Sequence, residues 1–198
     1  IYIPLAQTFG LQINRWILYG VLTLLPQGML AIYQYVEKFS GQISSIFMKS
    51  FSSIFLTETS TESNLFDKKW FNSFLEKILF MYFIILIVLV CAGNDILTLL
   101  WQSDKFTTDN ISLAYMLLMF FTTMFFFQII GMAYIKLDTA RGYIAKHYIS
   151  GLVMQIISSI VLILTIEPLG FYSLIVRLLI ISFTTSSLSI YFNYRNNK

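Results

Sequence analysis

Basic and amide side chains interrupt the long apolar stretches of this sequence. Six of them are candidates for binding a substrate: Arg15, Gln34, Lys38, Gln42, Lys49 and Arg177. Ionisable groups are costly inside a membrane, so they usually face a bundle interior or a water-filled cavity. Guanidinium and ammonium groups pair well with phosphate oxygens, and within these stretches the bases are opposed mainly by Glu37. The six residues therefore predict a polar path for an anionic group.

The clearest polar face lies between Leu30 and Phe55. At about 100° per residue, its polar side chains fall within roughly a quarter turn of a helix. They are Gln34, Lys38, Gln42, Ser45, Lys49 and Ser52. Apolar residues such as Val36 and Phe47 lie outside that sector. One side of this helix is therefore predicted to be hydrated and basic, and most of its remaining surface is predicted to be apolar.

A second polar stripe precedes it in the chain. Its members recur at helical spacing and are Thr8, Gln12, Arg15, Tyr19 and Thr23. Arg15 lies near the middle of its apolar stretch, too far from either interface for its side chain to reach water easily. We therefore predict that Arg15 faces the same path, the alternative being an arginine that faces lipid.

The elements that must position these side chains are membrane-spanning helices. The chain has 198 residues, of which 57% are hydrophobic and 12% charged, with a mean hydropathy of +0.74; soluble domains have about 25% charged residues. The sequence predicts an all-α polytopic bundle of six transmembrane helices, a single lobe over residues 1–198. The expected spans are about 4–24, 30–55, 74–100, 111–135, 148–166 and 171–192. Since no Met opens the chain, we expect a fragment.

The distribution of basic residues predicts an orientation. The loops after the second and fourth spans and the C-terminus hold Lys68, Lys69, Lys77, Lys136, Arg141, Lys146, Arg195 and Lys198, whereas the other loops hold only Lys105. Because Lys and Arg concentrate on the cytoplasmic side, both ends are expected to be cytoplasmic. The polar stretch Thr57–Asn72 is expected to be an extramembrane loop, and Leu25–Gly28 and Glu167–Gly170 tight turns.

Residues for bond-breaking chemistry are scarce. The single histidine, His147, falls in a basic connector and is expected to be solvated or interfacial; the single cysteine, Cys91, is expected to pack in the interior. Neither a Cys/His zinc cluster nor a Gly-rich phosphate loop is present. We therefore expect no enzyme, no cofactor and no metal. The formal charge of the chain is +3, and its basic residues are concentrated in particular loops. This distribution favours membrane orientation over nucleic-acid binding.

Several short motifs, in the right order and at the right helix spacing, resemble one family. Gln12–Arg15 is similar to its Gln-Ile-Asp-Arg, Leu25–Gly28 to its Leu-Pro-x-Gly turn, and Ile32–Phe39 to its Tyr-Ala-Asp-Arg-Leu helix. Leu137–Arg141 resembles its Asp-Thr connector and Pro168–Gly170 its last outer turn. On these motifs the chain resembles the C-terminal half of MurJ (MviN) type lipid II flippases, in the MATE-like (MOP) exporter superfamily.

The resemblance implies two six-helix lobes around a cavity that opens alternately to each side of the bacterial inner membrane. The implied partners are membrane lipids, a lipid-linked anionic substrate and the N-terminal lobe of the same chain. Lys38 stands where that family has a cavity-facing arginine. The lysine keeps the positive charge but lacks the planar guanidinium that binds phosphate through two hydrogen bonds. Asn14 replaces an acidic residue. The penultimate helix offers Gln155 and Ser159 but no carboxylate, so the family's sodium site is not carried over.

Other functions remain open at this point. An O-antigen or capsular repeat-unit flippase of the same superfamily would share the fold and the lipid pyrophosphate. A cation-coupled multidrug exporter would favour carboxylates inside the membrane, and the surplus of bases argues against it. The simplest alternative is a six-helix bundle whose charges only pair for packing, for example Glu37 with Arg15.

Overall fold

The computed structural model describes residues 2–61, 68–103, 106–140 and 143–196. Over these ranges the chain forms six α-helices and no strand, apart from an isolated bridge between Ser103 and Phe106. The helices are α1 (Tyr2–Leu22), α2 (Met29–Thr61), α3 (Lys68–Trp101), α4 (Thr108–Ala140), α5 (Ile144–Leu169) and α6 (Tyr172–Asn196). The all-α prediction is confirmed.

Four of the described helices are long and apolar enough to cross a membrane. The segments are Trp70–Trp101, Thr108–Thr139, Ala145–Leu169 and Tyr172–Arg195, and they indicate a membrane protein. Helices α1 and α2 are not among these four, and they carry the amide and basic residues of the two stripes. The side chains that suggest a polar path are thus the ones that lower the hydropathy of these two helices.

The stretch Thr57–Asn72, predicted as an extramembrane loop, is helical at both of its ends. Helix α2 continues to Thr61 and α3 already begins at Lys68. Hydropathy reports where an apolar segment ends, but Glu and Lys are good helix formers and let a helix continue into a polar segment. Residues 62–67, Lys105, Arg141 and Lys198 lie outside the described residues.

The predicted turn over Leu25–Gly28 is confirmed, whereas Glu167–Leu169 still belong to α5 and the second turn is confined to Gly170 and Phe171. Gly28 has φ +93° and Gly170 has φ +53°, in the left-handed region that glycine adopts without steric cost. The N–H of Gly170 donates to the carbonyl oxygen of Ile166 over 2.8 Å and closes α5. The chain reverses there into α6.

Contacts divide the chain into two compact units. Unit 1 comprises Ile1–Gln34 and Ile130–Lys198, and unit 2 comprises Tyr35–Ile129. In unit 2, α3 runs antiparallel to α2, since Phe39 packs on Trp101 with ring centroids 5.9 Å apart and Phe47 on Tyr82 at 5.4 Å.

The contact of α3 with α4 is also antiparallel. The Tyr82 hydroxyl donates to the carbonyl oxygen of Thr122, and the Tyr115 hydroxyl to that of Val90. A Cβ on Gly93 would lie 2.8 Å from the Tyr115 ring. Unit 2 is therefore an up-and-down arrangement of helix segments in close contact.

In unit 1, α1 and α5 run parallel to each other. Gln7 lies against Gly151, Gly10 against Gln155, and Asn14 against Ser159, so the residue numbers rise together on both helices. The end of α4 likewise runs parallel to α6, where Gly131 approaches Ser186. Glycines at these positions allow close approach of the helices, because a Cβ on Gly10, Gly131 or Gly151 would lie 2.9 Å from the facing side chain.

Candidate functional site

The polar stripe of α2 is exposed because the opposite face of the helix is packed. Val36 and Phe47 are buried, whereas Lys38, Gln42 and Lys49 are exposed and Gln34 is half-buried. In unit 2, Tyr35 and Phe39 both pack on Trp101, with ring centroids 5.6 Å and 5.9 Å away. These contacts fix the rotation of α2 about its axis. The ammonium group of Lys38 is consequently presented outward.

The polar stripe of α1 is also exposed. Thr8, Gln12 and Arg15 lie on the surface of the described chain, while Leu18 and Leu22 pack inside. Arg15 is thus a free cationic side chain on a helix whose other face packs in unit 1. Its immediate neighbour in sequence, Asn14, points inward and belongs to a different cluster.

Arg177 differs from the other predicted site residues because it is buried. Only 6% of the residue is exposed, and its Nη2 donates to Asn14 Oδ1 over 3.0 Å. The Ser159 hydroxyl lies 2.9 Å from the same oxygen and 3.0 Å from the carbonyl oxygen of Gln155. We call Asn14, Ser159 and Arg177 the α1–α5–α6 cluster. It joins three helices of unit 1 through one amide oxygen.

The charge of Arg177 has a neutral partner in this cluster. Arg177 forms no ion pair with another described residue, and its Nε is buried without a hydrogen-bond partner. A buried charge is costly unless an opposite charge compensates it. The cluster is therefore an electropositive point inside the helix packing of unit 1.

A groove about 490 Å³ in volume runs between α1 and α5 and passes Asn14 and Ser159 of this cluster. Its walls are mainly apolar and include Phe9, Ile13, Ile156 and Ile160, whereas Asn14, Gln155 and Ser159 supply polar groups. The Oε1 of Gln155 is buried and lacks a hydrogen-bond partner. An apolar groove with a few convergent polar groups is the usual form of a small-molecule site.

A second polar cluster of unit 1 joins α4, α5 and α6. Asp138 is fully buried; its Oδ2 lies 2.7 Å from His147 Nε2 and its Oδ1 accepts from Asn193 Nδ2 over 2.8 Å. The His147 ring packs edge-on against Phe192, with centroids 5.5 Å apart. We call Asp138, His147 and Asn193 the α4–α5–α6 cluster.

The expectation of a solvated His147 is therefore wrong. The residue is 6% exposed and its Nδ1 is buried without a partner. His147 lies in the first turn of α5 and α4 continues to Ala140, so the imidazole lies against the end of α4 rather than in water. The single histidine lies nine positions after Asp138, at the junction of two apolar segments, and this proximity is the sequence signal of the pair.

The expectation for Cys91 is also wrong, because Cys91 is exposed. Leu89 and Gly93 occupy the packed side of α3 at this level. In a membrane helix the residues that face lipid are as apolar as those that face the protein. Hydropathy alone therefore does not distinguish the two sides.

The six predicted site residues are divided equally between the two units. Arg15, Gln34 and Arg177 belong to unit 1, and Lys38, Gln42 and Lys49 to unit 2. Within each unit, no hydrogen bond or ion pair of the described residues joins two of them. The polar residues that the structure does bring together were not predicted as a site; they are Asn14, Ser159, Asp138, His147 and Asn193.

Comparisons with protein-family models, with curated proteins and with solved structures give no match for this chain. A functional assignment therefore depends on the residues themselves. Among the described residues, no group of His, Cys, Asp and Glu is arranged to hold a metal ion.

Proposed function

We propose that this chain forms one lobe of a bacterial inner-membrane transporter that moves an undecaprenyl-pyrophosphate-linked saccharide across the membrane by alternating access. The peptidoglycan precursor lipid II is the first candidate cargo. The observation that carries the proposal is the exposed basic stripe on α2, whose opposite face is packed. Exposed cations on a helix within a membrane bundle suit a water-filled cavity that receives an anion.

The helix directions support six membrane spans. Helix α1 runs parallel to α5, and α2 antiparallel to α3, while α3 and α5 are each apolar enough to cross a membrane. A span needs about 20 residues, and α1 has 21 and α2 has 33. We infer that α1 and α2 cross the membrane beside their apolar neighbours, and that both ends of the chain are cytoplasmic.

The chemistry of the stripe supports a pyrophosphate over a cationic cargo. Lys38 and Lys49 are ammonium donors, and Gln34 and Gln42 add amide groups that can bind sugar hydroxyls and phosphate oxygens. Lys38 stands at the cavity-facing basic position of the flippases that the sequence resembles. Arg15 supplies a guanidinium on the polar stripe of α1. We propose that these residues bind the lipid pyrophosphate together with an N-terminal lobe of the same chain.

The test is translocation of lipid II by the full-length protein carrying Lys38→Ala or Arg15→Ala. Each variant is expected to reduce the rate at least tenfold, since a cation that pairs with phosphate is lost. Lys77→Ala is the matched control, because Lys77 is an exposed lysine of α3 outside both stripes. Full translocation by both stripe variants would refute the role assigned to these charges.

The departures from the resembled motifs favour one second candidate. Lysine at position 38 lacks the planar fork of arginine, and Asn14 replaces an acid, so a lipid-linked O-antigen or capsular repeat unit is the alternative cargo. Complementation of a strain depleted of its lipid II flippase separates the two. A lipid II flippase restores growth, and a repeat-unit exporter does not.

A further inference from the structure

The groove between α1 and α5 has walls suited to a hydrocarbon chain. Phe9, Ile13, Ile156 and Ile160 are largely exposed, and α5 is one of the four helices that are apolar enough to cross a membrane. The open side of the groove therefore faces hydrocarbon if α5 spans. Its volume of about 490 Å³ is within the range of small-molecule sites, about 300–1,000 Å³.

The polar part of the groove presents a hydrogen-bond donor. An arginine side chain can only donate, so the Asn14 atom that faces Arg177 Nη2 at 3.0 Å must be the amide oxygen. The Ser159 hydroxyl lies 2.9 Å from the same oxygen. Asn14 lines the groove, and its amide nitrogen takes no part in these contacts, so it is a donor for a ligand there. That nitrogen prefers an oxygen acceptor. The unpartnered Gln155 Oε1 is an acceptor, but it is buried against Gly10.

The charge behind Asn14 selects the kind of acceptor. The Arg177 guanidinium is nine-tenths buried, is paired with a neutral oxygen and has an unpartnered Nε. In a medium of low dielectric constant such a charge acts strongly on neighbouring groups. An anion at the amide nitrogen of Asn14 would compensate it, whereas a neutral lipid would leave the cost of the buried charge unchanged.

We propose that the groove between α1 and α5 is a binding site for an anionic lipid. The hydrocarbon chain lies between Ile13 and Ile160, and a phosphate oxygen accepts a hydrogen bond from the Asn14 amide under the influence of Arg177. This site lies in unit 1, apart from the stripe residues Lys38 and Lys49 of unit 2. It requires binding only, so it holds whether or not the chain transports lipid II.

The experiment measures lipid binding by the full chain in nanodiscs of phosphatidylcholine that contain increasing fractions of phosphatidic acid. Native mass spectrometry counts the bound lipids. We expect phosphatidic acid to bind at least tenfold more tightly than phosphatidylcholine. Asn14→Asp should abolish this preference, because a carboxylate neutralises Arg177 and replaces the amide donor with an acceptor.

The same substitution separates loss of the site from loss of the fold. Aspartate is isosteric with asparagine and forms an ion pair with Arg177, so the melting temperature in pure phosphatidylcholine should stay the same or rise. Asn94→Asp is the matched control, since Asn94 is an exposed asparagine of α3 and the change in net charge is identical. This control should keep the preference for phosphatidic acid.

A second variant tests the apolar walls without altering charge. Ile160→Trp fills the groove and should weaken binding of phosphatidic acid at least fivefold. Equal affinities for the two lipids, or an unchanged preference in Asn14→Asp, would overturn the proposal. Displacement of phosphatidic acid by inorganic phosphate at equal concentration would show a site for a free anion and would overturn the assignment to a lipid.

Discussion

The basic residues of this chain occupy two contrasting environments. On α2, Lys38 and Lys49 stand exposed above a packed face, and in unit 1 Arg177 is enclosed by three helices and bound to an amide oxygen. Exposed cations are free to bind a mobile anion, whereas an enclosed cation acts through the groups that hold it. Basic residues in similarly apolar sequence thus have different surroundings in the two regions.

The largest effect expected from the buried region concerns the α4–α5–α6 cluster. Asp138→Ala leaves His147 Nε2 and Asn193 Nδ2 without the carboxylate that they share. Breaking a buried pair costs about 3–5 kcal/mol, and we expect a loss of that order in the free energy of unfolding in detergent micelles. Asp95→Ala, at an exposed position of α3, should cost about 0.5 kcal/mol or less. Equal losses would mean that Asp138 contributes no more than a surface charge.

A pair of glycines tests how rigid the buried region is. In Gly131→Ala the new methyl would lie 3.0 Å from the Cα of Ser186, a backbone atom that cannot move alone, and overpacking costs about 1–3 kcal/mol. In Gly10→Ala the nearest atom is the Gln155 side-chain oxygen at 2.9 Å, which can rotate away, so less than about 1 kcal/mol should be lost. Thermal unfolding of the two variants measures the difference. A larger loss for Gly10→Ala would show that Gln155 is fixed in place.

Two adjacent serines of α5 test the link between helices. Ser159→Ala removes the hydroxyl that reaches Asn14 on α1, and the loss of one such hydrogen bond costs about 0.5–1.5 kcal/mol. Ser158→Ala is the matched control, because the Ser158 hydroxyl bonds only the carbonyl oxygen of Gln155 on its own helix. Alanine is the better helix former, so this control should be neutral in an unfolding titration. A neutral Ser159→Ala would remove Ser159 from the cluster.

The smallest effect on stability is expected for the stripe itself. The double variant Lys38→Ala, Lys49→Ala should change the free energy of unfolding by about 0.5 kcal/mol or less, as exposed positions usually do. Denaturant titration beside the wild-type chain provides the measurement. A loss above about 1.5 kcal/mol would indicate that the lysines are packed or paired, and the contrast between the two regions would disappear.

Local features of this fold could be predicted from the sequence. The division of α2 into a polar and an apolar side follows from helical periodicity, and the turns at Gly28 and Gly170 follow from Pro and Gly. These signals depend on neighbouring residues only. Local patterns do not fix the number of membrane spans. Polar residues lower the hydropathy of α1 and α2, and four of the described helices meet the length and apolarity that a span requires.

Long-range features could not be predicted in the same way. The contact of Asn14 with Arg177 joins residues 163 positions apart, and no local pattern encodes it. The expected burial of Cys91 and the expected exposure of His147 are both wrong for a related reason. In an apolar chain the lipid-facing and protein-facing positions have similar composition, so burial is decided by tertiary packing.

The glutamines that lie over glycines between α1 and α5 limit how these helices can move. Gln7 of α1 fits against Gly151 of α5, and Gln155 of α5 fits against Gly10 of α1, so each helix carries one projection and one notch. Sliding of α1 along α5 by less than a full turn, about 5.4 Å, would require both glutamine side chains to leave their glycines. The two contacts therefore favour one register of α1 on α5, and we expect the two helices to keep it when unit 1 rearranges.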